Sequence, residues 1–457
     1  MTSGNPDLGA PASIEVLTTL KDIAAADWDH LARGLHTGPK PPEIKDVAAH
    51  PDSVSEAYHP PAMQAGAIGH GHNERDDSEH EAGESRREVP ENTSEEDIDN
   101  PFISHAFLSA LEESGSVGGR TGWTPLHLVA RSADGRAIGA IPAYAKTHSR
   151  GEYVFDHAFA EAYARAGGAY YPKLQVSVPF TPATARKFLI APEADPATIR
   201  PALINGLEGL RARIEGSSIH ATFLTPVDRD AFLAQGFAPR MDQQFHFTNR
   251  GYRHFDDFLA GLASRKRKVL KRERREALAN DITIEWVSGK DLTEAHWDAF
   301  FAFYMDTGSR KWGSPYLTRR FFSLIGETMA EKTLLVMAKR AGRAIAGALN
   351  FIGGNTLYGR NWGAIEHHPF LHFELCYYQA IDFAIAHGLA RVEAGAQGEH
   401  KLARGYEPVR TYSAHRFADA GFQRAISAYL DRERRHVDAV QAELETLTPF
   451  RREQTTA

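Results

Sequence analysis

Apolar and polar positions alternate in short blocks along most of this chain, and the period of each block predicts its element. IEVLTTLKDIAAADWDHLARG reads as a short strand and then a helix. After a long polar interruption, NPFISHAFLSALEESGS resumes with an amphipathic helix capped by Asn100 and Pro101. WTPLHLVARSADGRAIGAIPAYAKTH holds two apolar, β-branched runs, with Asp134 and Gly135 as the turn residues of a hairpin. An amphipathic helix over ATIRPALINGLEGLRARIE follows, then a strand at SSIHATFLTP, a short helix at VDRDAFLAQGF and a strand at QQFHFTN.

A similar order returns in the second half. ITIEWVSG predicts a strand, LTEAHWDAFFAFYMDTGSR and LTRRFFSLIGETM predict helices, and TLLVMAKRAGRAIAGALNFIGGNTLYGRNWGAI predicts a three-strand meander turning at RAGR and GGNT. HFELCYYQAIDFAIAHG is an apolar helix stopped by Gly388, and LARVEAG is a strand. Both halves carry the same hairpin signature, DGRAIGAIPAY against AGRAIAGALNF, so duplication of an α+β unit is the simplest account. The expected organisation is a first unit over 13–35 and 99–249, an insert over 36–98, a basic connecting helix over 250–280, a second unit over 281–422 and a C-terminal helix over 423–450.

Composition changes this picture in three places. At 457 residues the chain exceeds one ordinary core, and two or three domains are expected. Between His36 and Asp99 there are sixteen Asp and Glu against five Lys and Arg, a local balance of −11 within a total of −7, so the remainder carries about +4. That insert, with one aromatic and six histidines, buries too little apolar surface to offset its chain entropy and is expected to be disordered; a solvated low-complexity tract suits its histidines better than metal capture. The single cysteine, Cys376, excludes an internal disulfide framework and a cysteine-rich zinc site. No eighteen-residue apolar run and no basic-apolar leader occur, which predicts a cytoplasmic protein without a transmembrane segment.

Between the halves lies SRKRKVLKRERREAL, in which eight of fifteen residues are Lys or Arg. At helical spacing this is either a solvated helix or an anion-contacting arm through Arg265, Lys266, Arg267, Lys268, Lys271, Arg272, Arg274 and Arg275.

These strings, with YYPKLQVSVPFTP, RKWGSPYL, LYGRNWG, HFELCYYQAIDFAI and EAGAQGEHKLARGYEP, resemble the Fem-type, FemAB-like proteins of GNAT fold labelled peptidoglycan biosynthesis or recognition proteins. The resemblance runs from about 99 to 450 and takes in the short N-terminal strand and helix, leaving the acidic insert outside it. It implies two tandem GNAT-like domains with mixed, mostly antiparallel sheets. It also implies transfer of an aminoacyl group from charged tRNA to an amine of a cell-wall precursor. Ordinary GNAT enzymes take acetyl from coenzyme A instead, holding its pyrophosphate with a Gly-rich turn. The corresponding stretch here, WGAIEHHPFLHFELCYY, has bulky residues where a phosphate needs close backbone approach, which disfavours that donor.

Acyl transfer to an amine needs a base, donors for the oxyanion and exclusion of water. EAGAQGEHKLARG, directly after a predicted strand, can supply these. His400, mostly neutral at pH 7 when unperturbed, can accept a proton, with Glu399 or Glu393 orienting it or acting as base. Lys401 and Arg404 can bind a carboxylate or phosphate; Gln397 can donate and accept, and Gly395, Gly398 and Gly405 allow tight turns. The alternative is a loop tied to its neighbours by ordinary ion pairs.

Further candidates are Arg310, Lys311 and Trp312, two cations beside an aromatic plane, and Tyr358, Arg360 and Trp362, expected on one face of a strand with Asn361 on the other. Glu374 lies one turn before Tyr377 and Tyr378, near a helix start. Tyr153, Asp156, Tyr171 and Lys173 are candidates for an interdomain cleft. Cys376 reads as a buried small hydrophobe. No P-loop, HExxH, GxSxG or Rossmann fingerprint stands where a strand and helix would support it. The expectation is an N-acyltransferase with a small-molecule or peptide amine acceptor, no metal and no tightly bound cofactor, its donor an aminoacyl-tRNA or an acyl-CoA. A non-catalytic module recognising precursors or a protein partner is the alternative, and the oligomeric state is left open.

Overall fold

The computed structural model describes residues 10–33, 99–311, 315–395 and 398–451. The insert over 36–98 lies outside them, as do Trp312, Gln397 and the side chains of Arg310, Lys311 and Glu399. The first half supplies β1 (Ser13–Leu17), β2 (Trp123–Pro125), β3 (His127–Arg131), β4 (Ala137–Ile141), β5 (Ala143–Lys146), β6 (Lys173–Val176), β7 (Leu189–Ile190), β8 (Ser218–Leu224) and β9 (Ala238–Thr248). The second supplies β10 (Ile282–Ser288), β11 (Thr333–Arg340), β12 (Arg343–Gly353), β13 (Thr356–Ala364), β14 (Arg391–Glu393) and β15 (Glu407–Phe417).

Local chemistry sets the helix ends. Asp195 caps Pro196–Arg213 by accepting from Ala197 N, with Pro196 at the first position. Asp419 likewise accepts from Phe422 N and starts Ala420–Thr446. Gly388, at φ +66, ends the helical run that begins at Leu371 in a conformation other residues rarely adopt. That run contains a π-helical segment, Glu374–Tyr378, between Leu371–Phe373 and Gln379–Ala386.

The strands form a four-stranded sheet, β1-β3-β4-β7, and an eleven-stranded sheet, β10-β11-β12-β13-β14-β9-β15-β8-β6-β5-β2. Each half builds antiparallel strands followed by one parallel pair, β6 with β8 and β13 with β14. The halves then exchange their last strands: β9 of the first pairs with β14 of the second, and β15 of the second pairs with β8 of the first. β9 and β15 also pair with each other, so one sheet runs through both units.

The apolar pattern does not predict β15. Its buried side chains include Thr411, Ser413 and His415, and polar residues in the interior erase the alternation. The main core crosses the halves as well: Phe102 packs edge-on to Phe351 and Tyr358, and Phe107 to Phe321 and Phe351. Among the described residues no helix is long and apolar enough to cross a membrane.

Candidate functional site

β13 and β14 pair over three residues only, Thr356–Tyr358 against Arg391–Glu393, and then part. β13 carries a bulge just beyond, opposite Leu349 and Asn350. The divergence leaves a slot of about 100 Å³ lined by Asn350, Gly359, Arg360, Trp362, His372, Cys376 and Tyr377 among others. A wider cavity of about 450 Å³ adjoins it, sharing Trp362 and His372 and lined also by Ile365, Phe370 and Phe373.

The first half has the matching divergence between β6 and β8, but its own chain closes it. Ala185 donates its N–H to the Phe223 carbonyl at 3.2 Å, and the Lys187 ammonium donates to the carbonyls of Ala185 and Phe223 at 2.7 and 2.8 Å. Val178, Phe180 and Ala183 of the same segment are buried. Burial of Lys187 lowers its pKa to about 7.

Tyr377, which lines the open slot, is buried, and its hydroxyl lies 2.9 Å from Nε2 of His400, an exposed residue outside the slot lining. Burial raises the Tyr377 pKa, so the phenol keeps its proton. Partial burial, then Arg404 and Lys401, lowers that of His400, which is therefore neutral at pH 7 and able to accept from the tyrosine. Lys401 is buried beneath them; its ammonium donates to the Gly395 carbonyl at 2.8 Å, and desolvation lowers its pKa to about 8. Gly398, at φ +117, sits where a Cβ would come 2.3 Å from His400 Cε1, so only glycine admits this ring position.

Arg404 is not free for a ligand. Its guanidinium forms an ion pair with Glu273 of the helix Ser264–Ala277 at 2.9 and 3.0 Å, lies 3.5 Å over Phe373 and donates to the His400 carbonyl. Glu393 is buried at the end of β14, 3.8 Å from His246 and 4.0 Å from Arg391. Gly405, at φ +89, packs against Phe258, while Gly395, at φ +79, has open space around it.

Three expectations change. Arg274, read as an anion contact, turns inward: it pairs with Glu374 at 2.9 Å and Asp382 at 2.6 Å and lies over Phe255, because the helix needs one face against the protein. Glu374 is correspondingly buried, held by Arg274 and Gln379, and presents no free carboxylate to a ligand. The bulge at Arg360 shifts the alternation of β13, so Tyr358 packs on Phe102 while Trp362 packs on His372 on the opposite face. Arg360 bridges the halves by donating to the Phe180 carbonyl, and its charge acts on the half-buried Tyr153 phenol.

Lys173, Asp156 and Tyr171 belong to a separate buried network within the first half. Lys173 donates to Asp156, to Glu152 at 2.7 Å and to Ser149 at 3.0 Å, and Ser149 and Tyr171 share a hydrogen bond. Arg265, Lys266, Lys268, Lys271, Arg272 and Arg275 are exposed and Arg267 half-buried on the basic helix. Cys376, half-buried, forms part of the slot wall. The Tyr377–His400 bond and the Glu273–Arg404 pair join positions 23 and 131 residues apart, and no local signal announces them.

A family model described as FemAB-like, peptidoglycan biosynthesis/recognition, matches residues 87–452. The chain belongs to the FemAB-like family. At family level this places it among peptidoglycan-related proteins. Similar solved structures include FemX, at 13% identity, covering 70% of this chain and 93% of that one with a TM-score of 0.44. A tandem GNAT protein from the clavulanic acid biosynthesis pathway matches at 13% identity over 69% and 88%, with a TM-score of 0.36. L-PGS from Bacillus licheniformis matches at 10% identity over 70% and 95%, with a TM-score of 0.43. No curated protein sequence matches. The FemAB-like chain is α+β, with two halves of similar strand order and mixed, mostly antiparallel sheets.

Proposed function

We propose that this FemAB-like protein is an N-acyltransferase that works at the slot between β13 and β14. The observation that carries the reading is the Tyr377–His400 pair, whose tyrosine lines the slot: a phenol that keeps its proton, bonded to a neutral, exposed imidazole that can take one. Acylation of an ammonium acceptor requires loss of a proton before attack and donation toward the carbonyl oxygen as it becomes an oxyanion. His400 serves the first need. The Lys401 ammonium serves the second, or the Tyr377 hydroxyl once it turns from His400 to the carbonyl oxygen, which also frees the imidazole nitrogen to act as base. In the balanced step the acceptor ammonium first gives one proton to solvent through His400, the free amine forms the new amide bond as the donor's ester or thioester bond breaks, and the second nitrogen proton passes to the departing hydroxyl or thiol.

Aminoacyl-tRNA is the favoured donor. The exposed cations of the helix Ser264–Ala277 suit a phosphate backbone, and Glu273 on its inner face pairs with Arg404 of the same turn. The acceptor is an amine on a small molecule or peptide of the cell-wall precursor class.

The assay supplies acetyl-CoA, longer acyl-CoAs and charged tRNA in turn and measures amine-dependent release of the donor. Release from charged tRNA is expected, and His400→Ala or Tyr377→Phe, folded as judged by circular dichroism, lowers it about 10²-fold. Undiminished transfer by both variants removes these residues from the mechanism. Turnover with no donor, together with thermal stabilisation by a cell-wall precursor, would instead establish a recognition module.

A further inference from the structure

The basic helix Ser264–Ala277 presents different chemistry on its two faces. Outward, Arg265, Lys268, Lys271, Arg272 and Arg275 stand three or four residues apart, and such like-charge neighbours oppose helix formation. The outward counter-charges are exposed ion pairs, Lys271 with Asp256 at 3.4 Å and Arg272 with Glu276 at 3.6 Å, which contribute little. Inward, the buried apolar side chains of the helix are Leu270 and Ala277, a small apolar face. Its placement therefore depends on two polar ties. Arg274 pairs with Glu374 and Asp382 of the helical run from Leu371, and Glu273 pairs with Arg404 and accepts from the Tyr378 hydroxyl. Those partners are the neighbours of the candidate site. Arg404 donates to the His400 carbonyl, and Tyr378 follows Tyr377 on the π-helical segment.

We propose that Glu273 is a positioning residue through which a polyanion on the outer face orders the slot. Phosphates on the outer cations relieve the repulsion along the helix, and the ordered helix presents the Glu273 carboxylate to Arg404 and Tyr378. Their placement fixes the 399–404 turn and, with it, the Tyr377–His400 pair. A ligand shifts such an equilibrium only through a difference in affinity for the two states, and the relieved repulsion is that difference. The inference deepens the reading of the helix as a phosphate-binding face and is independent of which group is transferred.

The full chain is titrated at low salt with a synthetic RNA hairpin and, separately, with inorganic polyphosphate, while amide hydrogen exchange is followed across 395–405 and 371–386. Bound polyanion is expected to slow exchange in both segments about fivefold or more. Glu273→Gln is expected to bind the hairpin as the wild type does yet lose the slowing, and pairing Glu273→Arg with Arg404→Glu to restore it. A residue with a merely structural role would lower the melting temperature without changing the response to polyanion. Should Glu273→Gln fail to fold, Tyr378→Phe removes one of the two partners of Glu273 and should weaken the slowing. The proposal is overturned if neither polyanion binds, if binding leaves exchange unchanged, or if Glu273→Gln responds like the wild type. Slowing by the hairpin without acyl transfer from charged tRNA or any acyl-CoA would sink the proposed function and leave this inference standing.

Discussion

Lys401 holds its ammonium in the interior with one carbonyl as hydrogen-bond partner, an arrangement that disfavours the charged form. Its pKa of about 8 in the fold, against 10.5 for an unburied lysine, makes this a stability statement. Between those values the unfolded chain binds more protons than the folded one, so this group's contribution to stability rises with pH through the window. At pH 7 the full penalty is present. Urea unfolding of wild type and Lys401→Met at pH 7 and pH 10 should therefore show the wild type gaining on the variant at the higher pH. Equal gaps at the two pH values would mean that the ammonium is not buried as described. Residue identities here were visible in the sequence, where a histidine, two cations and three glycines crowd one turn. Their assignments were not: Arg404 turns to Glu273, and His400 finds a tyrosine on another element.

At the scale of elements, the basic helix was legible and the division of its faces was not. Eight cations in fifteen residues mark it, yet which of them turns inward depends on Glu374 and Asp382, about a hundred residues away. This division makes opposite predictions for two sets of substitutions. Replacing Arg265, Lys266 and Lys268 by Gln should leave the melting temperature nearly unchanged and reduce the slope of log affinity for RNA against log salt by about 0.7 to 0.9 for each phosphate no longer neutralised. Arg274→Gln should instead destabilise the fold by about 3 kcal/mol, because it leaves the buried Glu374 carboxylate without its cation. An Arg274→Gln variant with wild-type stability and a reduced salt slope would reverse the assignment of faces. The bulge in β13 makes the same point for strands. Strict alternation places Tyr358 and Trp362 together, and one extra residue at Arg360 sends them to opposite sides.

Across the whole molecule, the strand exchange brings His220 of β8 beside His415 of β15, with their Nδ1 atoms 2.7 Å apart and both rings buried. One imidazole must donate and the other accept, so the two cannot both carry a charge. Burial, then the Lys173 charge, lowers His220 to about 3, and burial takes His415 well below its ordinary value. The folded pKa is depressed, so between about 3 and 6.5 the unfolded chain binds protons that the folded one refuses, and stability falls as pH drops through that range. Replacing both histidines by Gln should flatten the acid limb of the stability curve by about two protons. An unchanged limb would show that the seam between the halves does not govern acid unfolding.

Most strands and helices, the repeated α+β order and the charge-dense turn after β14 were legible in the sequence alone, because periodicity, caps and turn residues act over a few positions; β6, β7 and β15 were not. Tertiary structure alone decided that the halves exchange strands, that one divergence is closed by its own chain while the other keeps a slot, and that Tyr377 meets His400. Those outcomes depend on pairings between distant segments and on buried polar residues such as Thr411, Ser413 and His415, whose partners no local pattern encodes.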